Sequence, residues 1–213
     1  MKSQQKLVIF SAIGLILFFL VTGSMYKNQQ SNEISNKVKE NALLLERPYS
    51  YSIGNKDAKV HLVEFFDPAC ETCAQFKPLV EKIMEDNKDK IRLTLRYAPY
   101  HSGSDYVVKM LEAARKQGKF EETLEMMFTT QEYWASHHQP KPQVLWQFLP
   151  KLGLDIDQLV IDMKDPKLDD LIKQDLADAK ILGATKTPSY FVNGKPLQKF
   201  GYKQLKELIY SEL

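Results

Sequence analysis

The stretch VHLVEFFDPACETC, residues 60–73, decides the fold of this 213-residue chain and holds both of its cysteines. Its first half, residues 60–66, is rich in β-branched and aromatic residues and predicts a strand. Asp67-Pro68 interrupts that pattern, and from Cys70 onward apolar residues recur at helical spacing. The two cysteines are therefore expected at a strand-to-helix junction, three residues apart on the first turn of the helix.

Two cysteines at this spacing can close a small disulfide ring with little backbone movement. A thiolate at a helix start is stabilised by unpaired backbone N–H groups and by the helix dipole. Cys70 is therefore expected to have a lowered pKa and to be the nucleophile, while Cys73 resolves the mixed disulfide. The alternatives are an inert structural disulfide and half of a zinc site. Zinc needs a second ligand pair, and His137 and His138 lack the usual spacing, so no metal site is predicted.

The segments VEFFDPACETC, residues 63–73, and TPSYFVNG, residues 187–194, together resemble the DsbA-like family of thioredoxin-fold thiol:disulfide oxidoreductases. The resemblance covers residues 51–213 and implies an α/β, thioredoxin-like fold with an inserted helical domain. It also implies an exchange reaction that needs no cofactor beyond the two cysteines. Residues 103–183 agree with the inserted helical domain, because they contain several helical patterns and no convincing strand.

The remaining strands are predicted from alternation and from turn residues. Residues 91–98 alternate apolar with polar or charged side chains, and a strand, a helix and a strand of these lengths indicate a right-handed βαβ unit with parallel strands. Nearer the carboxyl terminus, residues 189–192 and 195–200 flank Asn193-Gly194, a pair typical of a type I′ hairpin. A final helix is expected after this hairpin, which completes the thioredoxin pattern.

Pro188 precedes a predicted strand, where proline is unfavourable in the ladder. In the resembled family the matching proline is cis and lies beside the cysteine pair. A cis bond would leave the Thr187 backbone available to pair with an extended substrate and to align the substrate sulfur with Cys70. The alternative is a trans proline that merely starts a strand.

Glu64 lies in an otherwise apolar strand, where a carboxylate is costly unless it is solvated or paired. The resemblance implies an acidic residue beneath Cys73 that accepts its proton, and a raised pKa would suit that transfer. Arg96 on the adjoining strand is expected to be the cation partner of Glu64. The alternative is an exposed glutamate at a strand edge.

The two residues between the cysteines are predicted to tune the redox potential. Strongly oxidising members of the resembled family carry a histidine there, whereas this chain has Glu71 and Thr72. The charge of Glu71 is expected to raise the pKa of Cys70, and the hydroxyl of Thr72 to compensate in part. We therefore expect a potential between the about −120 mV of DsbA and the about −270 mV of thioredoxin.

The first 25 residues are predicted to be an export segment. Lys2 and Lys6 precede an apolar run at residues 7–23, and no clean A-x-A cleavage site follows. The run is near the short limit for a spanning helix, so an uncleaved signal anchor with a cytoplasmic amino end is expected. Cleavage to a soluble periplasmic form is the alternative. Residues 26–50 are expected to be a partly helical tether, and the DsbA-like domain to span residues 51–213.

The net charge of +2 and the lack of an arginine-rich or aromatic-basic stripe exclude nucleic-acid binding. The predicted function is disulfide exchange with cysteine-containing exported proteins, on the outer side of a bacterial inner membrane, where disulfides form. An oxidase, which is favoured, needs a quinone-linked membrane partner, and a reductase or isomerase needs an electron-donating one. A non-enzymatic metal-binding or scaffold protein is the third hypothesis.

Overall fold

The computed structural model describes residues 3–136 and 139–213, except the side chains of residues 3–12, 27 and 28. Lys2, His137 and His138 lie outside the described residues, as does the side chain of Lys6. The orientation predicted from the two lysines and the zinc argument from the two histidines therefore stay predictions.

A five-stranded mixed sheet with the strand order β1-β3-β2-β4-β5 forms the centre of the domain. Strands β2 and β3 are parallel, while β1 and β4 run antiparallel to their neighbours. A helix connects β2 to β3, so the predicted βαβ unit is confirmed. The elements are β1 (Tyr51–Ile53), β2 (Val60–Phe66), α2 (Glu71–Asp86), β3 (Ile91–Tyr97), β4 (Ser189–Val192) and β5 (Lys195–Pro196).

The β4–β5 hairpin turns at Asn193 and Gly194, whose φ angles of 47° and 76° are those a type I′ turn requires. Strand β5 has two residues instead of the six predicted. Pro196 has no N–H to donate to the ladder, and one further bond, from Leu197 N–H to the Tyr190 carbonyl at 2.9 Å, ends the pairing. The final helix, α8 (Tyr202–Tyr210), follows and buries Leu205 and Ile209.

The described residues between β3 and β4 form helices joined by short turns and no strand, which confirms the inserted helical domain. Its α-helices are α3 (Ser104–Lys116), α4 (Phe120–Thr129), α5 (Gln131–Trp134), α6 (Ile156–Asp162) and α7 (Lys167–Leu182). The apolar pattern at residues 144–152 forms two short 3₁₀ segments, Pro142–Gln147 and Leu149–Leu152. Pro150 prevents one continuous α-helix there, because an interior proline cannot donate the i→i−4 bond and clashes with the preceding turn.

The sheet is covered on both faces, and the amino-terminal helix takes part in this cover. Helix α1 (Ser3–Glu40) ends close to the domain, where Val38 is fully buried and packs with Leu45 in a cluster that includes Phe65 and Phe191. A strand buried on both faces needs apolar partners on each. The end of the segment predicted to be a tether is therefore packed against the domain, while its role as a tether stays a prediction.

Earlier in α1, the side chains are exposed and apolar, among them Leu17, Phe19 and Leu20. Within the residues available for description, no helix combines the length and apolar character that crossing a membrane requires.

Candidate active site

Cys70 is the N-cap residue of α2, and Cys73 lies on its first turn. The Cys70 Sγ accepts a hydrogen bond from the Cys73 backbone N–H at 3.4 Å, and its thiol lies 3.4 Å from the Thr187 carbonyl oxygen. Both cysteines are thiols; Cys73 is fully buried, whereas Cys70 keeps 6% of its surface exposed. The helix therefore begins at Glu71, one residue later than the sequence predicted, with Cys70 as its cap. Cys70 is the more accessible sulfur.

The two thiols have opposite pKa shifts. Hydrogen bonds from the Cys73 thiol, from the Thr187 side chain and from the backbone N–H groups of Cys73 and Thr72 lower the pKa of Cys70 to about 6, although burial opposes them. Burial, the hydrogen bond to Cys70 and the charge of Glu64 raise the pKa of Cys73 well above its usual value. At neutral pH the pair is therefore a Cys70 thiolate beside a Cys73 thiol.

Glu64 is 6% exposed on β2, so the alternative of an exposed strand-edge glutamate is wrong. Burial raises the pKa of Glu64 to about 8; Tyr190 and Lys77 lower it, and the Cys70 thiolate raises it further. The Tyr190 hydroxyl lies close enough to Glu64 to act on its pKa, yet it meets no described partner with standard hydrogen-bond geometry. Glu64 is therefore mostly a neutral acid at pH 7.

The predicted partnership of Glu64 with Arg96 is wrong. In the parallel pairing of β2 and β3, Glu64 lies opposite Leu95, and Phe65 lies opposite Arg96. Since successive side chains of a strand point to opposite faces, Glu64 and Arg96 are on different faces of the sheet. The cation that lowers the pKa of Glu64 is Lys77, four residues after Cys73 on α2.

The Thr187–Pro188 peptide bond is cis, so the alternative of a trans proline is wrong. Pro188 is buried, and the half-buried Thr187 faces Cys70 through its carbonyl oxygen. Both therefore lie beside the cysteine pair. Glu71 is exposed and is not among the largest contributions to the pKa of Cys70, so its tuning role stays a prediction.

Two polar residues that hold the turn before α2 were missed by the sequence analysis. Fully buried Asp67 accepts hydrogen bonds from the Ala69 N–H at 2.8 Å, the Ser104 hydroxyl at 2.6 Å and the His101 N–H at 2.9 Å. Gln131, from α5, donates to backbone carbonyls of the same turn. Aspartate before a turn is a usable local signal. Gln131 has no such signal, because its partners are more than sixty residues away.

The described residues contain no group of three or more His, Cys, Asp or Glu side chains arranged to hold a metal ion. Two concave surfaces adjoin the site instead. A cavity of about 190 Å³ is lined by Glu64, Lys77 and Glu81. A groove of about 520 Å³ includes Pro188 and Phe200 in its walls.

Comparison with known proteins gives partial matches over much of the chain. Among solved structures, a thioredoxin-like oxidoreductase from Silicibacter pomeroyi DSS-3 is 29% identical with a TM-score of 0.67, covering 79% of this chain and 94% of that chain. α-DsbA1 from Wolbachia pipientis, at 23% identity and a TM-score of 0.68, covers 81% and 93% and shows the fold alone.

A curated relative is the Na(+)/H(+) antiporter NhaA of Herminiimonas arsenicoxydans, 28% identical over 187 residues. That alignment includes 86% of this chain but 29% of the antiporter, so the chain spans about three tenths of that relative's length. A family model described as thioredoxin matches residues 46–211, which include every residue of the site. The chain therefore belongs to the thioredoxin family, and its fold is that of the DsbA-like members, with the helical domain inserted.

Proposed function

We propose that this protein is a thiol:disulfide oxidoreductase that oxidises cysteine-containing exported proteins. The observation that carries the proposal is the pairing of a Cys70 whose pKa is lowered to about 6 with a buried Cys73 whose pKa is raised. A stabilised thiolate favours the reduced pair over the disulfide, and a disulfide with that property is a good oxidant.

In the proposed reaction a substrate thiolate attacks the Cys70 sulfur of the Cys70–Cys73 disulfide. A mixed disulfide forms between the substrate and Cys70, and Cys73 leaves and takes up one proton. A second substrate thiolate then attacks the substrate sulfur of the mixed disulfide and releases Cys70 as a thiolate. The substrate loses two electrons and gains a disulfide bond, while the protein gains two electrons as a thiolate and a thiol.

Glu64 is the proposed proton donor to Cys73 in this direction and its proton acceptor in reverse. With a pKa of about 8 it holds a proton at neutral pH and can release it within one unit of that value. The cavity that Glu64 shares with Lys77 and Glu81 gives the carboxyl group a side away from the cysteines on which to regain a proton.

Thr187 and Pro188 are the proposed substrate-binding residues. The Thr187 carbonyl lies 3.4 Å from Cys70 Sγ, so an extended segment that pairs with the Thr187 backbone would bring its own sulfur beside Cys70. The groove with Pro188 and Phe200 in its walls offers space for the residues that flank the substrate cysteine.

Trapping of mixed disulfides tests whether Cys70 is the nucleophile and whether exported proteins are the substrates. In Cys73→Ser the mixed disulfide cannot be resolved, so exporting cells should accumulate disulfide-linked complexes through Cys70, identified by mass spectrometry. The control is Cys70→Ser, in which no complexes are expected. Complexes that form on Cys73 of the control would reverse the two roles, and an absence of complexes in both variants would favour the metal-binding or scaffold hypothesis.

The redox potential of the Cys70/Cys73 pair, measured by equilibration with glutathione, tells whether the protein oxidises or reduces its substrates. The proposal keeps the predicted range between about −120 mV and about −270 mV. A value near about −120 mV indicates an oxidase that is reoxidised by a quinone-linked membrane partner. A value near the lower limit instead indicates a reductase or isomerase supplied by an electron-donating partner.

We propose that residues 7–23 direct export of the chain. In the favoured version they stay uncleaved and anchor it to the inner membrane. Fractionation with protease added to spheroplasts separates the outcomes. A membrane-bound chain whose domain the protease removes supports the anchor. A periplasmic product that begins near Ser24 supports a cleaved signal, and a chain protected in the cytoplasm contradicts export.

A further inference from the structure

The inserted helical domain contacts the backbone of the active-site turn directly, through one side chain. The Gln131 Nε2 group donates hydrogen bonds to the Pro68 carbonyl at 2.8 Å and to the Cys70 carbonyl at 3.2 Å. Gln131 is 7% exposed at the start of α5, so these bonds form away from competing water. The two carbonyls flank the turn that ends at the nucleophile.

The other side of this turn is held from the thioredoxin half. Cys70 N–H donates to the Asp67 carbonyl at 2.9 Å, and the Asp67 carboxylate binds the Ala69 N–H. Cys70 is therefore held through its N–H by Asp67, and through its carbonyl by Gln131 together with the Ala74 N–H of α2, which also lies at 3.2 Å. Its φ of −79° and ψ of 114° are those of an extended N-cap residue, which allow its sulfur to accept from the Cys73 N–H.

We propose that Gln131 is a positioning residue through which the helical domain sets the reactivity of Cys70. The inference rests on the proposed function, because it assigns a cause to the nucleophile's stabilised thiolate. Gln131 bonds the backbone and not the sulfur, so it acts by keeping Cys70 at the helix start. Without the amide, the buried Pro68 carbonyl loses a donor and the Cys70 carbonyl keeps only the Ala74 N–H, so the turn can relax toward water and carry Cys70 Sγ away from the N–H groups.

The test is Gln131→Met in the full chain, which keeps the side-chain length and removes the donor. Thiolate absorbance against pH gives the Cys70 pKa, and equilibration with glutathione gives the redox constant. We expect the pKa of Cys70 to rise by about half a unit or more. The equilibrium constant for oxidation of glutathione by the Cys70–Cys73 disulfide should fall about three- to tenfold, which corresponds to a redox potential lower by about 15–30 mV. Glu132→Gln, the exposed neighbour on the same helix, is the matched control and should change neither value.

Gln131→Glu provides a second, independent variant. Above the pKa of the new carboxyl group, its charge would face the two carbonyl oxygens, so the Cys70 pKa should rise at least as far as in the Met variant. If the Met variant does not fold, as judged by circular dichroism, the Glu variant decides in the same assay. A folded variant with the wild-type pKa and redox constant would overturn the inference. Wild-type protein without exchange activity would instead contradict the proposed function.

Discussion

Two buried ionisable sites lie on opposite faces of the same pair of strands, and they are built in opposite ways. On one face, fully buried Arg96 forms ion pairs of 2.7 Å with both Asp175 and Asp178. On the other face, Glu64 is buried too, at 6% exposure, but forms no ion pair with any described residue. Strand β2 carries Glu64 and strand β3 carries Arg96, one register position apart.

The difference shows how burial can serve stability or chemistry. Burial alone would raise the pKa of Asp178, but hydrogen bonds from Arg47 and Arg96 lower it, so this carboxylate stays charged. Arg96 also binds the Leu44 carbonyl, and the Tyr49 hydroxyl binds Asp175. The paired site therefore fastens the segment before β1 to α7. Glu64 lacks such pairing, and its pKa of about 8 suits proton transfer.

Of the variants considered, replacement of Arg96 should change the free energy of unfolding most. Arg96→Met leaves Asp175 and Asp178 buried without their shared cation, and the free energy of unfolding should fall by about 3–5 kcal/mol. Urea unfolding followed by circular dichroism measures the loss. The control is Arg92→Met, whose pair with Glu46 is partly exposed and should contribute about 0–1 kcal/mol. Equal losses in both variants would contradict the contrast between buried and exposed pairs.

Replacing Glu64 should stabilise the protein, in contrast to the loss expected for Arg96→Met. Its folded pKa of about 8 exceeds the ordinary 4.5, so the folded protein binds more protons and loses stability as pH rises between these values. Glu64→Gln removes this loss and should raise the free energy of unfolding at pH 7 by about 3 kcal/mol, while slowing proton transfer at Cys73. Unfolding at pH 5, 7 and 8.5 measures the slope. A variant that keeps the wild-type slope would show that Glu64 is not its source.

Replacement of Asp178 should cost less stability than replacement of Arg96, because Asp175 still forms an ion pair with Arg96. Asp178→Asn should lower the free energy of unfolding by about 1–2 kcal/mol at pH 7. The pKa of Asp178 is depressed in the folded state, so its contribution is present above 3.8 and is lost as pH falls through the folded value. The variant and the wild type should therefore converge at low pH. A difference that persists there would indicate a packing effect.

Glu71→Gln should have the smallest effect. Glu71 is exposed and water screens its charge, so its removal should lower the Cys70 pKa by a few tenths of a unit. Thiolate absorbance against pH measures this shift, with exposed Glu85→Gln, near the end of α2, as a control without effect. A decrease of about one unit or more would place Glu71 among the main determinants of the thiolate, beside Cys73 and Thr187.

Local patterns allowed much of the fold and the reactive pair to be predicted. Strands β2 and β4 have the predicted bounds, because compact runs of β-branched and aromatic residues end at turn residues. The lowered pKa of Cys70 has a local cause among others, the N–H groups at the helix start, whereas the pKa of Cys73 is raised first by burial, which depends on tertiary packing. The partner of Arg96 could not be predicted, since Asp175 is 79 residues away and no local pattern links them.

The sequence by itself determined strands β2 and β4, the hairpin at Asn193-Gly194 and a helix that starts beside the cysteines, because these depend on neighbours within a few residues. Tertiary structure decided which groups meet. The register of β2 and β3 placed Glu64 and Arg96 on different faces, since side chains alternate along a strand. Chain packing likewise brought Gln131 to the Cys70 carbonyl across 61 residues. Such contacts depend on how distant elements pack, and no local pattern specifies that.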